Sequence, residues 1–302
     1  MRNVKVGLEA KGCRLDVFLT QVLSLSRASV KKMIDEGFIR CGAEPLKRAS
    51  MKLKGGESFS VRFPEKKEPS LLPESIPLDI LYEDDSLLVI NKPAGFVVHP
   101  GAGHEAQTLV NALLFHCRDL PVGSDPLKPG IVHRLDKGTS GVMVVAKTTE
   151  AMESLQHAFK DRQIRKIYLT LLHGKVTPSG TIESKLGRHV RKRQKISSKT
   201  KKGKLAVTHW KVLRYFDEKY SWVEVRIETG RTHQIRVHFS EAGHPVVGDV
   251  TYGRKKDRFP RPALHASELT FRHPKTGQEI CFTAPLPQDI ADLLYACETG
   301  NI

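Results

Sequence analysis

Residues 131–141 read Ile-Val-His-Arg-Leu-Asp-Lys-Gly-Thr-Ser-Gly. They set one carboxylate, Asp136, between Arg134 and Lys137 and follow it with a turn of small residues. An acid beside fixed positive charge is favoured in its ionised form, which suits a nucleophile or a base and not a proton donor. A loop ion pair ahead of a strand has the same local composition, so the rest of the chain has to decide. No other acid clusters around Asp136, which disfavours a metal-dependent nuclease. The five cysteines are dispersed with no Cys-x-x-Cys pair, arguing against disulfides and a zinc centre. The thirteen histidines include no metal-ligand spacing, and His233 and His238, five apart, have the wrong offset for one helical face. No metal is expected.

The elements that must hold this stretch are short and mixed. The run Val142–Ala146 follows the turn as a strand, and further strand signals lie at 87–90, 168–172 and 223–227. Helical stretches are expected near Thr108–His116 and Thr149–Lys160. Strands and helices without regular alternation suggest an α+β class, not a doubly wound sheet. Thr232 can cap a helix that ends at Gly243.

Ahead of this region, residues 1–64 form a small unit. Leu15, Phe18, Leu19, Val22 and Leu23 follow helical spacing. Ser26 or Ser29 can cap a second helix, with Val30, Met33 and Ile34 inward and Gly37 as its stop. Strands follow at Phe38–Arg40 and at Phe59–Phe63, the latter alternating. Residues 65–75, charged and punctuated by proline, read as a linker to a second domain over 76–302.

The whole chain of 302 residues carries 49 Lys and Arg against 33 acids, a net charge of +16. That excess points to an acidic polymer, above all nucleic acid. No apolar run approaches the roughly 18 residues of a spanning helix, and the first residues lack a signal-peptide stretch, so a cytosolic protein is expected. In the first unit, Arg27, Lys31, Lys32 and Arg40 outnumber the nearby acids and are candidates for phosphate contact. Residues 185–204 hold ten Lys or Arg and no acid, among them Arg188, Arg191, Lys192 and Arg193. Such a run reads as a mobile loop or splayed hairpin that grips phosphates. No heptad or exposed apolar helix signals an oligomer, so a monomer is the default.

Taken together, the long motifs resemble the RluA family of RNA pseudouridine synthases across almost the whole chain. They are His133-Arg134-Leu135-Asp136-x-x-Thr139-Ser140-Gly141, Asn91-Lys92-Pro93, Lys166-Ile167-Tyr168, and Glu228 to His238 followed by Gly248-Asp249 and Tyr252-Gly253. Smaller matches are Leu264-His265-Ala266 and Ala284-Pro285-Leu286-Pro287. The first unit resembles the RNA-binding module of the small-subunit ribosomal protein S-four type, with Arg40-Cys41-Gly42 in place of that family's Val-Asn-Gly turn.

The resemblance implies a mixed, largely antiparallel catalytic sheet and the isomerisation of uridine to pseudouridine. Because the product is an isomer, no cofactor is required. It gives the catalytic carboxylate to Asp136, the cation that orients it to Arg231, and a tyrosine packing on the base to Tyr168. Arg134 is the alternative partner for Asp136, or an RNA contact. A tyrosine of ordinary pKa near 10 is a poor base at neutral pH, so packing is the stronger half of its role. His133 is assigned to structure or RNA contact, and Asn91 and Lys92 to loop architecture. The motif around Asn91 and the N-terminal module look most like the large-subunit ribosomal RNA enzymes of the RluD branch. That branch tends to have asparagine where this chain has His104, so another rRNA site or a tRNA stays open. A non-catalytic ribosome-assembly factor is the rival reading.

Overall fold

The computed structural model describes residues 2–42, 44–46, 48–63, 71–101, 103–190, 195–200, 202–254 and 256–301. They fall in two compact units, one up to residue 70 and one from residue 71. In the first, β1 (Arg2–Lys5), α1 (Leu15–Leu23), α2 (Arg27–Asp35), β2 (Ile39–Cys41), β3 (Glu44–Pro45) and β4 (Ser58–Val61) make two helices and an antiparallel sheet ordered β1-β4-β2-β3. Ser26, not Ser29, caps α2 by accepting from the Ser29 amide. Gly37 ends the helix in the left-handed region at φ +75°, where a side chain would be strained. Leu15, Leu19, Val30 and Ile34 pack on Ile39, Phe59 and Val61. Phe63 lies beyond the strand and is exposed.

The second unit contains β5 (Ile80–Glu83), β6 (Leu87–Lys92), α3 (Leu109–His116), β7 (Ser140–Ala146), α4 (Thr149–Lys160), β8 (Arg165–His173) and β9 (Ser179–Arg188). It continues with β10 (Ile196–Ser197), β11 (Lys204–Phe216), β12 (Tyr220–Ile227), α5 (Gln234–Glu241), β13 (Leu264–Arg272), β14 (Glu279–Thr283) and α6 (Gln288–Glu298). One sheet runs β10-β9-β11-β12-β8-β13-β7-β6-β5, with β14 also on β13. The class is α+β, as expected. Residues 64–70, which hold the first part of the expected linker, lie outside the described residues. Residues 71–75 do not behave as a linker. The Asn111 side chain donates to the Leu72 carbonyl (2.8 Å), and the Glu74 amide donates to the Asn111 carbonyl (3.0 Å), which ties this stretch to α3.

Every neighbouring pair in the large sheet is antiparallel except β13 with β7. The sheet forks on β13: His265 and Ala266 pair with β7, while Glu268–Arg272 pair with β14. The fork needs a glycine. Gly141 has φ +119°, and a Cβ there would lie 2.1 Å from the Ala266 carbonyl oxygen. His265 locks the same place by accepting from the Ser140 hydroxyl (2.9 Å) and donating to the Ala284 carbonyl (3.3 Å). The two short matches at 264–266 and 284–287 thus serve one structural purpose, holding the start of β7, four residues after Asp136.

Candidate active site

Asp136 sits in the irregular segment before β7, where the Thr139 amide donates to the Asp136 carbonyl (3.0 Å) and closes the turn. Its cleft is walled by this turn and by residues 230–236, the connection from β12 into α5, and Tyr168 lines it as well. Tyr168, on β8, is paired with Val225 of β12 and Ala266 of β13. That central position packs its ring between two apolar clusters.

The cation on Asp136 is neither Arg231 nor Arg134. Arg236 Nη1 donates to Asp136 Oδ2 (3.0 Å), while its Nε and Nη2 hold Asp249 in a bidentate pair (2.7 and 2.9 Å). The guanidinium stands 5.2 Å from the Tyr252 ring. Asp249 is fully buried and also accepts from the Thr251 and Tyr252 amides. Burial disfavours both charges, but their mutual hydrogen bonds outweigh it: the Asp249 pKa is lowered and the Arg236 pKa raised. Asp136 therefore rests on a cation that is itself fixed from behind, the arrangement in which planar bidentate geometry matters most.

Arg231 lines the same cleft, but its Nε donates to the Leu205 carbonyl (3.1 Å). Arg134 is exposed and donates to His99 Nε2 (3.0 Å). Lys137 Nζ lies 3.4 Å from His104 Nε2, so the two sequence neighbours of Asp136 turn away from it. Thr232 does not cap α5. The N-cap position is His233, and the buried Gln234 side chain accepts from the Arg231 amide (3.0 Å) and donates to the Val207 carbonyl (2.9 Å).

Burial, with Asp136 nearby, pushes the Tyr168 phenol above its ordinary pKa. This keeps the proton on and favours packing over base chemistry. Lys92 is fully buried, and its ammonium donates to the carbonyls of Pro93 (2.8 Å), Phe96 (3.0 Å) and Lys137 (3.5 Å). Burial pushes it down to about 7, the Asp136 carboxylate opposing, and its bonds tie the end of β6, a strand and not the expected loop, to the turn after Asp136.

His133 is structural. Its Nε2 accepts from the Val144 amide (3.0 Å), and its ring stacks on Phe159 at 4.6 Å. Burial, with Lys166 nearby, pushes the imidazole down to about 3. A depressed folded-state pKa means the unfolded chain takes up the proton first, so this stability is complete above pH 6.5 and is lost as pH falls toward 3. His133→Gln keeps an acceptor that cannot titrate. Between pH 7 and pH 5 its unfolding free energy should fall by about 2 kcal/mol less than that of the parent, measured by urea unfolding at the two pH values.

Among the described residues of the basic segment 185–204, β10 pairs antiparallel with the end of β9 at Ile196–Arg188 and Ser197–Gly187. Arg188 is exposed. Arg191, Lys192 and Arg193 lie outside the described residues. In the first unit Arg27, Lys31, Lys32 and Arg40 are all exposed, and Arg27 also pairs with the buried Asp16 (2.7 Å). Among the described residues one trio, Glu83, His116 and Cys117, brings possible metal donors together. The Glu83 carboxylate already accepts from Lys147 (2.8 Å) and meets His116 Nε2 (2.8 Å). No helix of the described residues is long and apolar enough to cross a membrane.

The family model for RNA pseudouridylate synthase matches residues 86–241. The chain is 43% identical to the uncharacterized RNA pseudouridine synthase YlyB of Bacillus subtilis, covering 97% of this chain and 96% of that protein. It is 44% identical to ribosomal large subunit pseudouridine synthase D of Neisseria meningitidis, covering 97% and 80%. Among solved structures, human RNA pseudouridylate synthase domain containing 1 superposes with a TM-score of 0.58 at 29% identity, covering 74% of this chain and 96% of that one.

Proposed function

The chain belongs to the RNA pseudouridylate synthase family, and we propose that it isomerises uridine in large-subunit ribosomal RNA with Asp136 as the carboxylate that acts on the ribose. It is an isomerase. The bond between uracil N1 and ribose C1′ breaks, the base turns, C5 bonds to C1′ and the C5 proton leaves. One ionised carboxylate suffices to attack the sugar or to take a proton from it.

The observation that carries the assignment is the placement of Asp136. Arg236 occupies Oδ2 (3.0 Å), and Oδ1 has no hydrogen-bond partner among the described residues. The carboxylate thus faces a cleft that Tyr168 also lines. Tyr168 offers a ring face for a base taken out of its stack. Flipping costs a few kcal/mol and costs least in loops, so a stem-loop of the large-subunit RNA is the natural target. Exposed cations such as Arg134, Lys31, Lys32, Arg40 and Arg188 offer phosphate contacts, and the first unit serves as an RNA-binding module of the S-four type. In the same reading the protein works as a cytoplasmic monomer. A pure assembly factor has no use for a buried Arg236–Asp249 pair behind a cleft carboxylate, since desolvating such charges is costly.

Chemical mapping tests the substrate. Carbodiimide labelling and reverse transcription on rRNA and tRNA from cells lacking the gene should lose a stop in a large-subunit loop, and the wild-type gene should restore it. A stop lost only from tRNA would move the substrate. No loss in either pool would favour the assembly factor.

A further inference from the structure

His233 lines the cleft, and the chemistry above does not use it. Its Nε2 lies 3.8 Å from Asp136 Oδ2, and its Nδ1 lies 2.7 Å from the Tyr252 hydroxyl. The Ile196 amide donates to that same hydroxyl (2.8 Å). These contacts select one tautomer. A lone pair on Nε2 would face the negative carboxylate, so Nε2 carries the hydrogen and Nδ1 accepts from the tyrosine. The Tyr252 oxygen in turn accepts from Ile196. An N–H to oxygen distance of 3.8 Å is too long for a hydrogen bond, and Nε2 has no other hydrogen-bond partner among the described residues. The donor is therefore held from behind and left open toward the cleft, beside the oxygen that Arg236 already holds.

The backbone agrees with a constrained role. His233 adopts φ +55°, a left-handed conformation that non-glycine residues seldom take. The constraint aims the ring across the mouth of α5 toward the turn bearing Asp136.

We propose that His233 Nε2 donates a hydrogen bond to the ribose 2′-hydroxyl of the target uridine. This rests on Asp136 being the carboxylate that acts on the ribose. Such a carboxylate must approach C1′ or the hydrogen on C2′, and the 2′-oxygen is bonded to the carbon next to C1′. A donor beside Asp136 therefore meets the sugar edge, while Tyr168 offers its ring to the base. The 2′-hydroxyl is also the group by which a protein distinguishes RNA from DNA. Burial lowers the His233 pKa, the Asp136 carboxylate opposing it, so the ring serves as a neutral donor with a fixed tautomer.

The test is a binding cycle on the full-length chain in an Asp136→Asn background, where bound RNA is not consumed. The probes are two synthetic stem-loops carrying the mapped uridine, one with ribose and one with 2′-deoxyribose at that nucleotide alone. With His233 present, the deoxy probe should bind about tenfold more weakly, the worth of one good hydrogen bond. His233→Gln, whose amide nitrogen reaches the Nε2 position, should retain most of that ratio. His233→Asn keeps an acceptor for Tyr252 and tolerates a positive φ but lacks the reach, and its ratio should fall to about one. Equal binding of the deoxy probe by all three proteins would establish that each is folded.

A full ratio in the Asn variant would overturn the proposal, as would a ratio near one with His233 present. The first would give the 2′-hydroxyl to a different donor, and the second would send the His233 hydrogen bond to a different acceptor, such as a uracil carbonyl. The underlying reading fails separately: if the Asp136→Asn protein still isomerises uridine, Asp136 is not the acting carboxylate, whatever the binding ratios.

Discussion

Replacing Arg236 with leucine is expected to lower the stability of the second unit by about 3–5 kcal/mol and to abolish measurable isomerisation. Arg236 is 7% exposed and Asp249 fully buried, so the substitution strands a carboxylate that, among the described residues, keeps only the Thr251 and Tyr252 amides (2.9 and 3.1 Å). Breaking a buried pair from one side is costly because the remaining charge has nothing to answer it. The same change removes the only guanidinium on Asp136 among the described residues (3.0 Å). Arg236→Lys keeps the charge but cannot hold Asp249 bidentately while reaching Asp136, so it should be intermediate in stability and nearly as inactive. Arg231→Leu provides the contrast. Among the described residues its side chain makes one hydrogen bond, to the Leu205 carbonyl, and its loss should cost no more than about 1 kcal/mol. Urea unfolding of the three variants reads the stabilities, and the ordering is the point. If Arg231→Leu were the destabilised protein and Arg236→Leu the stable one, the assignment of the partner would be wrong.

The contrast also marks where sequence reasoning stopped. The turn bearing Asp136, the strand after it and the helices at 109–116 and 149–160 follow from local pattern, because capping, turn residues and apolar spacing act over a few positions. Arg236 and Asp136 are a hundred residues apart, and nothing local chooses between two arginines of one motif. A signal was nonetheless present. Arg236 stands in Ile235-Arg236-Val237-His238-Phe239, a run that α5 buries entirely. A cation among residues of that kind needs a carboxylate, and Gly248-Asp249 follows soon after. Arg231, by contrast, lies just before α5 begins. The Thr232 cap failed for a related reason: the helix starts from a left-handed His233, one residue past Thr232, and its first turn has no side-chain cap. That left-handed residue has no clear sequence signature, because histidine is enriched at positive φ but most histidines still lie elsewhere. The expected linker ran too far because Leu72 and Glu74 look like any polar, proline-flanked loop until Asn111 is folded beside them.

The central claim is that Asp136 acts on the ribose, and one substitution tests it most directly. Asparagine is nearly isosteric with aspartate, and its amide oxygen can still accept from Arg236, so the cleft and its basic surroundings should be unchanged. What asparagine lacks is the negative oxygen needed to attack the sugar or take its proton. Single-turnover pseudouridine formation on the mapped stem-loop should fall on the order of ten-thousandfold or more for Asp136→Asn, with RNA affinity close to the parent's. A variant that binds RNA normally and isomerises within about tenfold of the parent, a barrier change of only about 1.4 kcal/mol, would contradict the account.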